Sequence, residues 1–481
     1  MEPDEHGRIP VQPLTGFSDK VIPYELARSA LENAMSKHRS YCDGVSRRNL
    51  LQVGMGASAA GALGLSSALS ADPGTAETGD DVARGDVSLI ILFLQGGLST
   101  IDTLDLKPNA PVEFRGEFDP IDTVVPGMQV CEHLPGVAKV ADRFSLLRNF
   151  THHDSGHGPA DHFMLTGYTP RAGFNGSLKP NNHYPSHGSV ISKKLGPQGS
   201  VPPYVCLPKM HRSAGAAYLG VSHAPFEVEA DPNAPDFAVP DLTPPLGISA
   251  NRFDARRELM KTVDRYKEKA EVSANSGTRA LTTFQKKAFD LISSPATRIA
   301  FDIHSESDET REEYGRNSLG QSCLMARRLI EAGVRCVTID HTNWDTHYNN
   351  FDVLKNDLLP HLDAGLPMLL RDLDQRGMLD TTMVCVMGEF GRTPRVNKYA
   401  GRDHWGPSNT ILMAGGGVKG GRVIGATNAR GERPESDPVG PADLSATIFH
   451  SLGINGDDEF HTPEGRPVKI VNDGRVLTEL L

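Results

Sequence analysis

Acidic, basic and imidazole side chains gather after an apolar run in the last quarter of the sequence. The run Val384–Met387 is rich in β-branched residues, which predicts a buried strand. Glu389 and Arg392 follow it closely, and Asp403 and His404 stand a little further along. In an open α/β sheet, ligands bind in the crevice at the carboxyl ends of the strands. We therefore expect this corner of the protein to carry chemistry.

A second set of ligand-type side chains follows the apolar run Val334–Ile339. It contains Asp345 and His347, a carboxylate and an imidazole two positions apart. Both groups suit Zn²⁺ and related divalent ions, so this spacing is typical of a metal-binding pair. Caps of turns are the alternative, but turn capping does not account for so many ligand-type side chains at once.

Histidines are concentrated in a third segment. Six of the 18 histidines fall between His152 and His187. Histidine is the commonest metal ligand and the natural acid or base near neutral pH. Gly158 and Pro159 ahead of an apolar stretch predict the start of a helix, whose N-terminus favours an anion. His157 stands at this start, and we interpret it as a candidate acid–base group or ligand, with an ordinary surface position as the alternative.

The elements that must position these groups alternate between strands and helices. The continuous apolar run Val87–Leu94 predicts a central parallel strand. A helix is predicted over Leu319–Ala332, ahead of the strand that leads to the Asp-x-His pair. A helical stretch over Val353–Arg376 is predicted to be broken near Pro360 and Pro367. This order predicts an α/β fold with a mostly parallel sheet.

The end of the first strand offers further polar side chains. Two glycines there are followed by Ser99, Asp102 and Asp105. These three residues either line a site at the strand end or cap the following turn, and the sequence favours neither role.

Composition limits the class of protein. With 481 residues, 38% of them apolar, and a mean hydropathy of −0.33, the chain is typical of a soluble globular protein. Its net charge of −11 disfavours nucleic-acid binding, which needs a basic surface. The six cysteines contain no Cys-x-x-Cys pair, which excludes a zinc ribbon and a thioredoxin motif. Charged helices predicted over residues 251–272 and 280–293 are assigned no function.

The N-terminal segment is typical of an export signal. Arg47 and Arg48 precede a modestly apolar run over residues 50–69, which resembles a twin-arginine (Tat) leader. A membrane anchor is the alternative, but the four glycines of this run make it a poor one. We predict a long n-region and Tat signal over residues 1–71, a linker over 72–86 and one catalytic-type domain over 87–481 with insertions around 200–315. The Tat translocase would be a partner, the mature protein would have no stable membrane span, and it would be periplasmic or extracellular.

Several motifs resemble those of the alkaline phosphatase and sulfatase superfamily, and more closely those of the Tat-exported family called domain of unknown function 1501. They run in order from Ser88 to Leu481 and read QGGLSTIDTLD, HGPADHFMLTGYTP, WDTHYNNF, MGEFGRTP, GRDHWGPSNTILMAGGGVKGG and PADLSATIFHSLGI. The resemblance implies a three-layer α/β/α sandwich with a mostly parallel central sheet. It also implies metal-dependent hydrolysis of phosphate or sulfate esters.

The match to the superfamily is incomplete at the positions that carry its chemistry. Gln95 stands where the superfamily has a metal-binding Asp, and His157 stands where sulfatases have their nucleophile. Glu389-Phe390 replaces an Asp-His pair. The resemblance implies that the ligands of the other metal remain as Asp345, His347 and His404, and we add the neighbouring Asp403 to this candidate set.

These substitutions change the implied mechanism. Without a nucleophile, a single divalent metal could lower the pKa of a water to about 7 and deliver hydroxide directly. Zinc is the expected metal, with calcium or manganese as alternatives. Glu389 or Asp403 would orient the water, and His157 would act as general acid or base or as a further ligand.

Arg392 has two open roles, because it could hold an anionic substrate oxygen or pair with the Glu389 carboxylate. The expected substrate is a small-molecule or carbohydrate ester of sulfate or phosphate. The alternative function is a non-catalytic binding or scaffold protein on a degenerate hydrolase fold.

Overall fold

The computed structural model describes residues 86–239, 242, 294–435 and 437–481. The Tat leader predicted over residues 1–71, the linker up to residue 85 and the helices predicted over 251–272 and 280–293 lie outside the described residues.

Eight strands form the central sheet, and six short strands pair in three small ribbons. The sheet strands are β1 (Ser88–Leu94), β4 (Phe144–Phe150), β5 (Tyr204–Leu207), β6 (Phe226–Glu227), β7 (Cys336–His341), β8 (Thr382–Met387), β11 (Asn409–Ala414) and β12 (Arg422–Ile424). The ribbon strands are β2 (Pro120–Asp122), β3 (Gln129–Cys131), β9 (Gly391–Arg392), β10 (His404–Trp405), β13 (Glu459–His461) and β14 (Pro467–Lys469).

The sheet is mostly parallel and has the order β12-β4-β11-β8-β1-β7-β5-β6. In it, β1 pairs in parallel with both β7 and β8, and all seven of its residues are buried. The strand β11 runs antiparallel to its neighbours β4 and β8. The predicted central position of the first apolar run is therefore confirmed, as is the mostly parallel sheet.

Helices cover both faces of the sheet. They are α1 (Thr100–Thr103), α2 (Val112–Arg115), α3 (Pro135–Ala138), α4 (His157–Thr166), α5 (His187–Lys194), α6 (Pro295–Phe301), α7 (Asp308–Glu313), α8 (Ser318–Glu331), α9 (Asn350–Val353), α10 (Leu359–Gln375) and α11 (Pro441–Ser451). Short 3₁₀ segments lie at Ala141–Arg143, Ala217–Leu219, Val221–His223, Ile303–Ser305 and Leu379–Thr381.

Alternate residues of β1 point into two separate cores. Ile90 and Leu92 pack in a core with apolar residues of α8 and α10, whereas Leu89, Ile91 and Phe93 pack in a core with residues of α4, α5 and α11. A strand that is buried on both faces needs an apolar side chain at nearly every position, which explains the unbroken apolar run. The result is the predicted α/β/α sandwich.

The helical stretch before β8 differs from its prediction. A π-helical segment, Leu354–Leu358, joins α9 to α10 without a break, and Pro367 lies inside α10. Pro360 falls in the first turn of α10, directly after the wider π turn. Proline has no backbone N–H, and the π turn accommodates the hydrogen bond that is missing at this position. The neighbours of Pro367, Leu366 and Met368, are buried, so packing on the sheet outweighs the lost bond.

The ligand-type residues lie at one edge of the sheet. The loops that carry them follow the carboxyl ends of β1, β4, β7 and β8, and the ribbon of β9 and β10 precedes β11. Because β11 runs in the opposite direction, its first residue reaches this same edge. Among the described residues, no helix combines the length and the apolar character that crossing a bilayer requires. The five cysteines of the described residues are buried free thiols.

Candidate metal centre

Three imidazoles converge on the carboxylate of Asp345. The Nε2 atoms of His404 and His347 lie 3.0 Å and 3.2 Å from Asp345 Oδ1. The Nε2 atom of His157 lies 3.3 Å from the other oxygen, Oδ2. His157 comes from the first turn of α4, Asp345 and His347 from the loop after β7, and His404 from β10. The fold therefore brings together residues from three distant segments.

Each of these imidazoles is held by an acceptor at its other ring nitrogen. The Nδ1 atoms of His157, His347 and His404 lie 2.7 Å from Glu389 Oε1, 2.7 Å from Asp403 Oδ1 and 2.9 Å from the backbone oxygen of Ser155. A carboxylate or carbonyl oxygen accepts a hydrogen bond, so each Nδ1 carries a proton. Each Nε2 then faces Asp345 with a lone pair when the ring is neutral and as a hydrogen-bond donor when the ring is protonated. This is the arrangement that orients histidine ligands in metal sites.

The donor atoms fit a divalent metal. Asp345 Oδ1, His347 Nε2 and His404 Nε2 are 3.0–3.2 Å from one another. Ligand atoms about 2.0–2.1 Å from a tetrahedral zinc ion are about 3.3 Å apart, close to the observed spacing. His157, Asp345 and His404 also meet as a ligand group, with their donor atoms within 4.8 Å of one another. His157, whose Nε2 lies on the side of the second carboxylate oxygen, Oδ2, is thus a candidate fourth ligand of the metal.

The charges of the site are strongly coupled. Hydrogen bonds to Asp345 and then to Glu389 raise the pKa of His157 to about 9. Burial alone would raise the pKa of Asp345, but hydrogen bonds from His157, His404 and Arg392 outweigh it and hold that pKa well below its ordinary value. Asp345 is therefore an anion at neutral pH.

Glu389 does not reach the opening where we predicted it to orient water. Its side chain is fully buried, and both of its oxygens accept a hydrogen bond from the backbone N–H of Gly96, at 2.8 and 3.0 Å. Its backbone oxygen also accepts a hydrogen bond from His152 Nε2 at 2.7 Å. A position this enclosed corrects the predicted role, because Glu389 can act on the site only by orienting His157.

Gly96 makes this arrangement possible. Its φ is +115°, and a Cβ built on it would lie 2.3 Å from the backbone nitrogen of Asp345. Only glycine allows both this conformation and this close approach. The glycines after β1 therefore bring the Asp345 loop against the strand end.

Arg392 also departs from both predicted roles. Its side chain is fully buried, and Nη2 donates to Asp345 Oδ1 at 2.5 Å. The same Nη2 also donates to the backbone oxygens of Gly96 and Trp344, whereas Nε donates to Gly97 O and Nη1 to Arg402 O. The carboxylate that it pairs with is thus Asp345 rather than Glu389. Arg392 fixes the position and the negative charge of Asp345.

Asp403 lies behind the ligand cluster rather than in it. The contact of its Oδ1 with His347 is on the Nδ1 side of the ring, away from Asp345. The same oxygen lies 3.3 Å from the side-chain nitrogen of Asn397. The predicted metal ligand is therefore a positioning residue for His347.

The polar residues after β1 form buried contacts with residues of the loops that carry the site. Asp102 and Arg402 form a fully buried ion pair in which both carboxylate oxygens lie 2.7 Å from guanidinium nitrogens. Ser99 donates to Asp102 at 2.6 Å. Asp105 pairs with Lys107 at 2.9 Å. These three side chains are used in buried ion pairs and side-chain hydrogen bonds, and Ser99 makes no side-chain cap on α1, so the structure shows neither of the two roles left open for them.

Some contributors carried no signal in the sequence. Phe390, at the position of the replaced imidazole, stacks on the ring of His404 with centroids 4.4 Å apart. The Ser155 backbone oxygen and His152 support the site through contacts that residue types do not predict. Arg402 directly precedes the candidate ligands Asp403 and His404 in the sequence. This position alone did not predict its buried ion pair with Asp102.

A family model described as "Protein of unknown function (DUF1501)" matches residues 86–481. Among curated proteins, none matches this sequence.

Several solved structures are similar at low sequence identity. The lipoteichoic acid synthase LtaP from Listeria monocytogenes is 10% identical with a TM-score of 0.35, and the alignment covers 82% of this chain and 76% of that one. A protein in the alkaline phosphatase superfamily from Vibrio parahaemolyticus is 10% identical with a TM-score of 0.38, covering 82% and 70%. A phosphonate monoester hydrolase from Silicibacter pomeroyi is 12% identical with a TM-score of 0.33, covering 81% and 76%.

Proposed function

The chain belongs to the DUF1501 family of proteins of unknown function, and from its candidate metal centre we propose that it is a metal-dependent hydrolase of a sulfate or phosphate ester. One observation carries the proposal. Three histidines have an acceptor at Nδ1 and turn Nε2 towards a single carboxylate, Asp345. When the rings are neutral, their lone pairs face one another and the carboxylate at this distance, and they repel unless a cation lies among them.

The donor set favours zinc among the expected metals. Imidazole nitrogens suit zinc, whereas calcium prefers oxygen ligands. We propose Asp345, His347 and His404 as ligands, with His157 as a further ligand or as the acid–base group. When bound, such a metal lowers the pKa of a water molecule to about 7, which supplies a nucleophile at neutral pH.

The chain's own residues would transfer the proton of the attacking water. Glu389 holds His157 by Nδ1, so its Nε2 faces the site with a fixed orientation. In this geometry His157 can take a proton from an attacking water and return it to the leaving oxygen. Arg392 keeps Asp345 ionised through these steps. The N–H groups of the first turn of α4, where His157 lies, favour an anionic ester group nearby.

A non-catalytic binding protein is the second candidate. The observation that favours it is the identity of residue 157, because an imidazole stands where the related sulfatases would have a nucleophile. Glu389 and Arg392 are moreover fully buried and used for support. On this alternative, the centre holds a metal and an anion without cleaving it.

Metal analysis and an ester screen separate the two candidates. Elemental analysis of the purified protein should find close to one equivalent of metal, and Asp345→Ala should lose it. His450→Ala, which removes an exposed histidine of α11, is the matched control and should keep the metal. Turnover of nitrophenyl sulfate or nitrophenyl phosphate that disappears in Asp345→Ala supports the hydrolase. Metal without turnover of any ester supports the binding protein, and a protein that takes up no metal contradicts both.

We also propose export by the Tat translocase to the periplasm or the cell exterior. The support is the Arg47-Arg48 pair before a weak apolar run. Replacing both arginines by lysine in the full chain should leave the protein in the cytoplasm, as measured by cell fractionation. Normal export of that variant would contradict the proposal.

A further inference from the structure

Two tyrosines that lie next to the candidate metal centre are unusually exposed. Tyr348 is 63% exposed and Tyr399 is 48% exposed. Their rings contact each other with centroids 4.9 Å apart and an angle of 44° between the planes. Large aromatic side chains gain most when they are buried, so an exposed, self-contacting pair beside a site indicates a binding surface. We call Tyr348 and Tyr399 the tyrosine platform.

The platform belongs to the same two loops that carry the ligands. Tyr348 directly follows His347, so their Cα atoms are about 3.8 Å apart. Tyr399 precedes Asp403 by four residues on the other loop. Backbone bonds tie the two loops together: Asn349 N–H donates to Tyr399 O at 3.1 Å, and Asn350 N–H donates to Ala400 O at 2.8 Å. The tyrosine platform is therefore formed by the same two loops as the metal ligands.

The residues that directly follow the two tyrosines have unfavourable backbone conformations. Asn349 has a φ of +49° and Ala400 a φ of +53°, in the left-handed region that residues with a side chain seldom adopt. Such conformations cluster at functional sites. The next residue, Gly401, could not carry a Cβ, which would lie 1.9 Å from the backbone oxygen of His347. The loops are thus packed against each other backbone to backbone.

One ring of the platform has an open face. Tyr399 is contacted by Tyr348 and by the Lys398 ammonium, which lies 4.8 Å from its centroid. Tyr348 is the more exposed of the two and offers an apolar ring face with a polar hydroxyl at its edge. A sugar ring has the matching character, with an apolar C–H face and polar edges. The charge of Lys398 would favour a sugar that carries an anionic group.

We propose that the tyrosine platform is a saccharide subsite, on which the ring of a sulfated or phosphorylated sugar rests while its ester group enters the metal centre. The proposal rests on the proposed function and names its substrate class. Tyr348 contacts the ring, and Tyr399 and Lys398 support it.

Binding of non-hydrolysable sulfonates tests the platform without relying on turnover. Sulfoquinovose carries a sulfonate on a hexose ring, methanesulfonate has the same charged group without a ring, and benzenesulfonate has an aromatic ring. Their dissociation constants are measured by calorimetry on the metal-loaded protein. Tyr348→Ala should weaken the binding of sulfoquinovose about 10-fold. Its effect on methanesulfonate should be much smaller.

Two variants serve as controls. Ile299→Ala removes a side chain that is 65% exposed elsewhere on the surface and should change none of the constants. Tyr348→Phe keeps the ring face and should bind sulfoquinovose within about 3-fold of the original chain. Metal content should be unchanged in all three variants, which shows that the centre has folded.

The outcomes separate the subsite from the proposed function. If Tyr348→Ala and Ile299→Ala change the dissociation constant of sulfoquinovose equally, the tyrosine platform is overturned. Bound metal and methanesulfonate binding would in that case still support the metal centre. A loss confined to benzenesulfonate overturns the choice of a saccharide. Failure of the original chain to hold metal or bind any sulfonate overturns the proposed function and the subsite together.

Discussion

The Nε2 atoms of His347 and His404 face each other at 3.0 Å, although each ring has an acceptor at its Nδ1. With Nδ1 protonated, neither Nε2 has a hydrogen to share, and Asp345 Oδ1 adds a third electron-rich atom at 3.0–3.2 Å. A divalent cation satisfies all three atoms at once. Without it, a ring must take up a second proton to hold the same geometry.

Chelation is expected to destabilise the protein. A metal present at 100 times its dissociation constant adds about 2.7 kcal/mol to the free energy of unfolding, because only the folded chain joins these ligands. Differential scanning calorimetry with and without EDTA measures the change in Tm. His404→Ala serves as the control and should not respond to EDTA. An equal Tm shift in both proteins would contradict a metal at this position.

Asp403→Ala should weaken metal binding without loosening the fold. Loss of the acceptor at His347 Nδ1 frees the ring to rotate, and such changes cost about 10–100-fold in metal affinity. Asp403 has a half-exposed side chain, so the free energy of unfolding without metal should change by less than about 0.5 kcal/mol. Competition with a chromogenic chelator measures the affinity. Asp380→Ala, at an exposed position outside the site, should bind metal normally; a similar loss there would refute a specific role for Asp403.

Glu389→Gln should change the titration of His157. In the metal-free chain, the pKa of His157 is raised to about 9 by Asp345 and then by Glu389, so losing the second anion should lower it. NMR titration of the imidazole resonances measures this pKa directly. Ester hydrolysis should fall by about 100-fold, because a neutral amide stabilises the protonated His157 less well than the carboxylate does. An unchanged titration would show that Glu389 serves packing alone.

Removal of one partner of the buried ion pair Asp102–Arg402 should strongly lower the free energy of unfolding. Asp102→Asn leaves a guanidinium without a counter-charge in a fully buried position, which costs about 3–5 kcal/mol of unfolding free energy. Metal affinity should also fall, because Arg402 directly precedes Asp403 and His404. Urea denaturation checks the first effect and a metal titration the second. Arg316→Ala breaks exposed pairs only and should cost less than about 1 kcal/mol.

Asp340 should make the protein less stable as pH rises. Burial raises the pKa of this carboxyl to about 7, and its Oδ1 has no hydrogen-bond partner among the described residues. The folded chain therefore holds a proton between about pH 4 and pH 7 that the unfolded chain releases. The free energy of unfolding then falls by up to about 1.4 kcal/mol per pH unit over this range.

Asp340→Asn should remove this dependence. Urea denaturation of both proteins at about pH 5 and about pH 8 isolates the effect, because other titrating groups are common to both. The variant should gain stability relative to the original chain at the higher pH. A difference that is the same at both pH values would mean that Asp340 titrates normally.

Much of the fold follows from local pattern. The unbroken apolar run of β1 predicts burial on both faces, and the structure has β1 at the centre of the sheet. The strand predicted over residues 334–339 is shifted by two residues and spans Cys336–His341. The unbroken helix through Pro360 was not predictable, since the π turn that accommodates it has no distinct sequence pattern.

Residue types predicted which side chains gather at the site but not how they pair. Arg392 lies three residues from Glu389, yet its guanidinium bonds Asp345 on another loop. The glycine at position 96 frees the space in which Glu389 and the Asp345 loop both approach the strand end. Such pairings depend on the relative placement of loops from different strands, and linear spacing carries no information about it.

The central place of β1 determines the order of events while the chain is being made. This strand leaves the ribosome before the rest of the sheet, yet its two partners begin only at Cys336 and Thr382. Until they arrive, an apolar strand has both of its backbone edges unpaired, which is a template for aggregation. His404 is synthesised later still. We therefore expect β1 to stay unpaired for most of the synthesis of the chain, and the sheet and the metal centre to form only near its end.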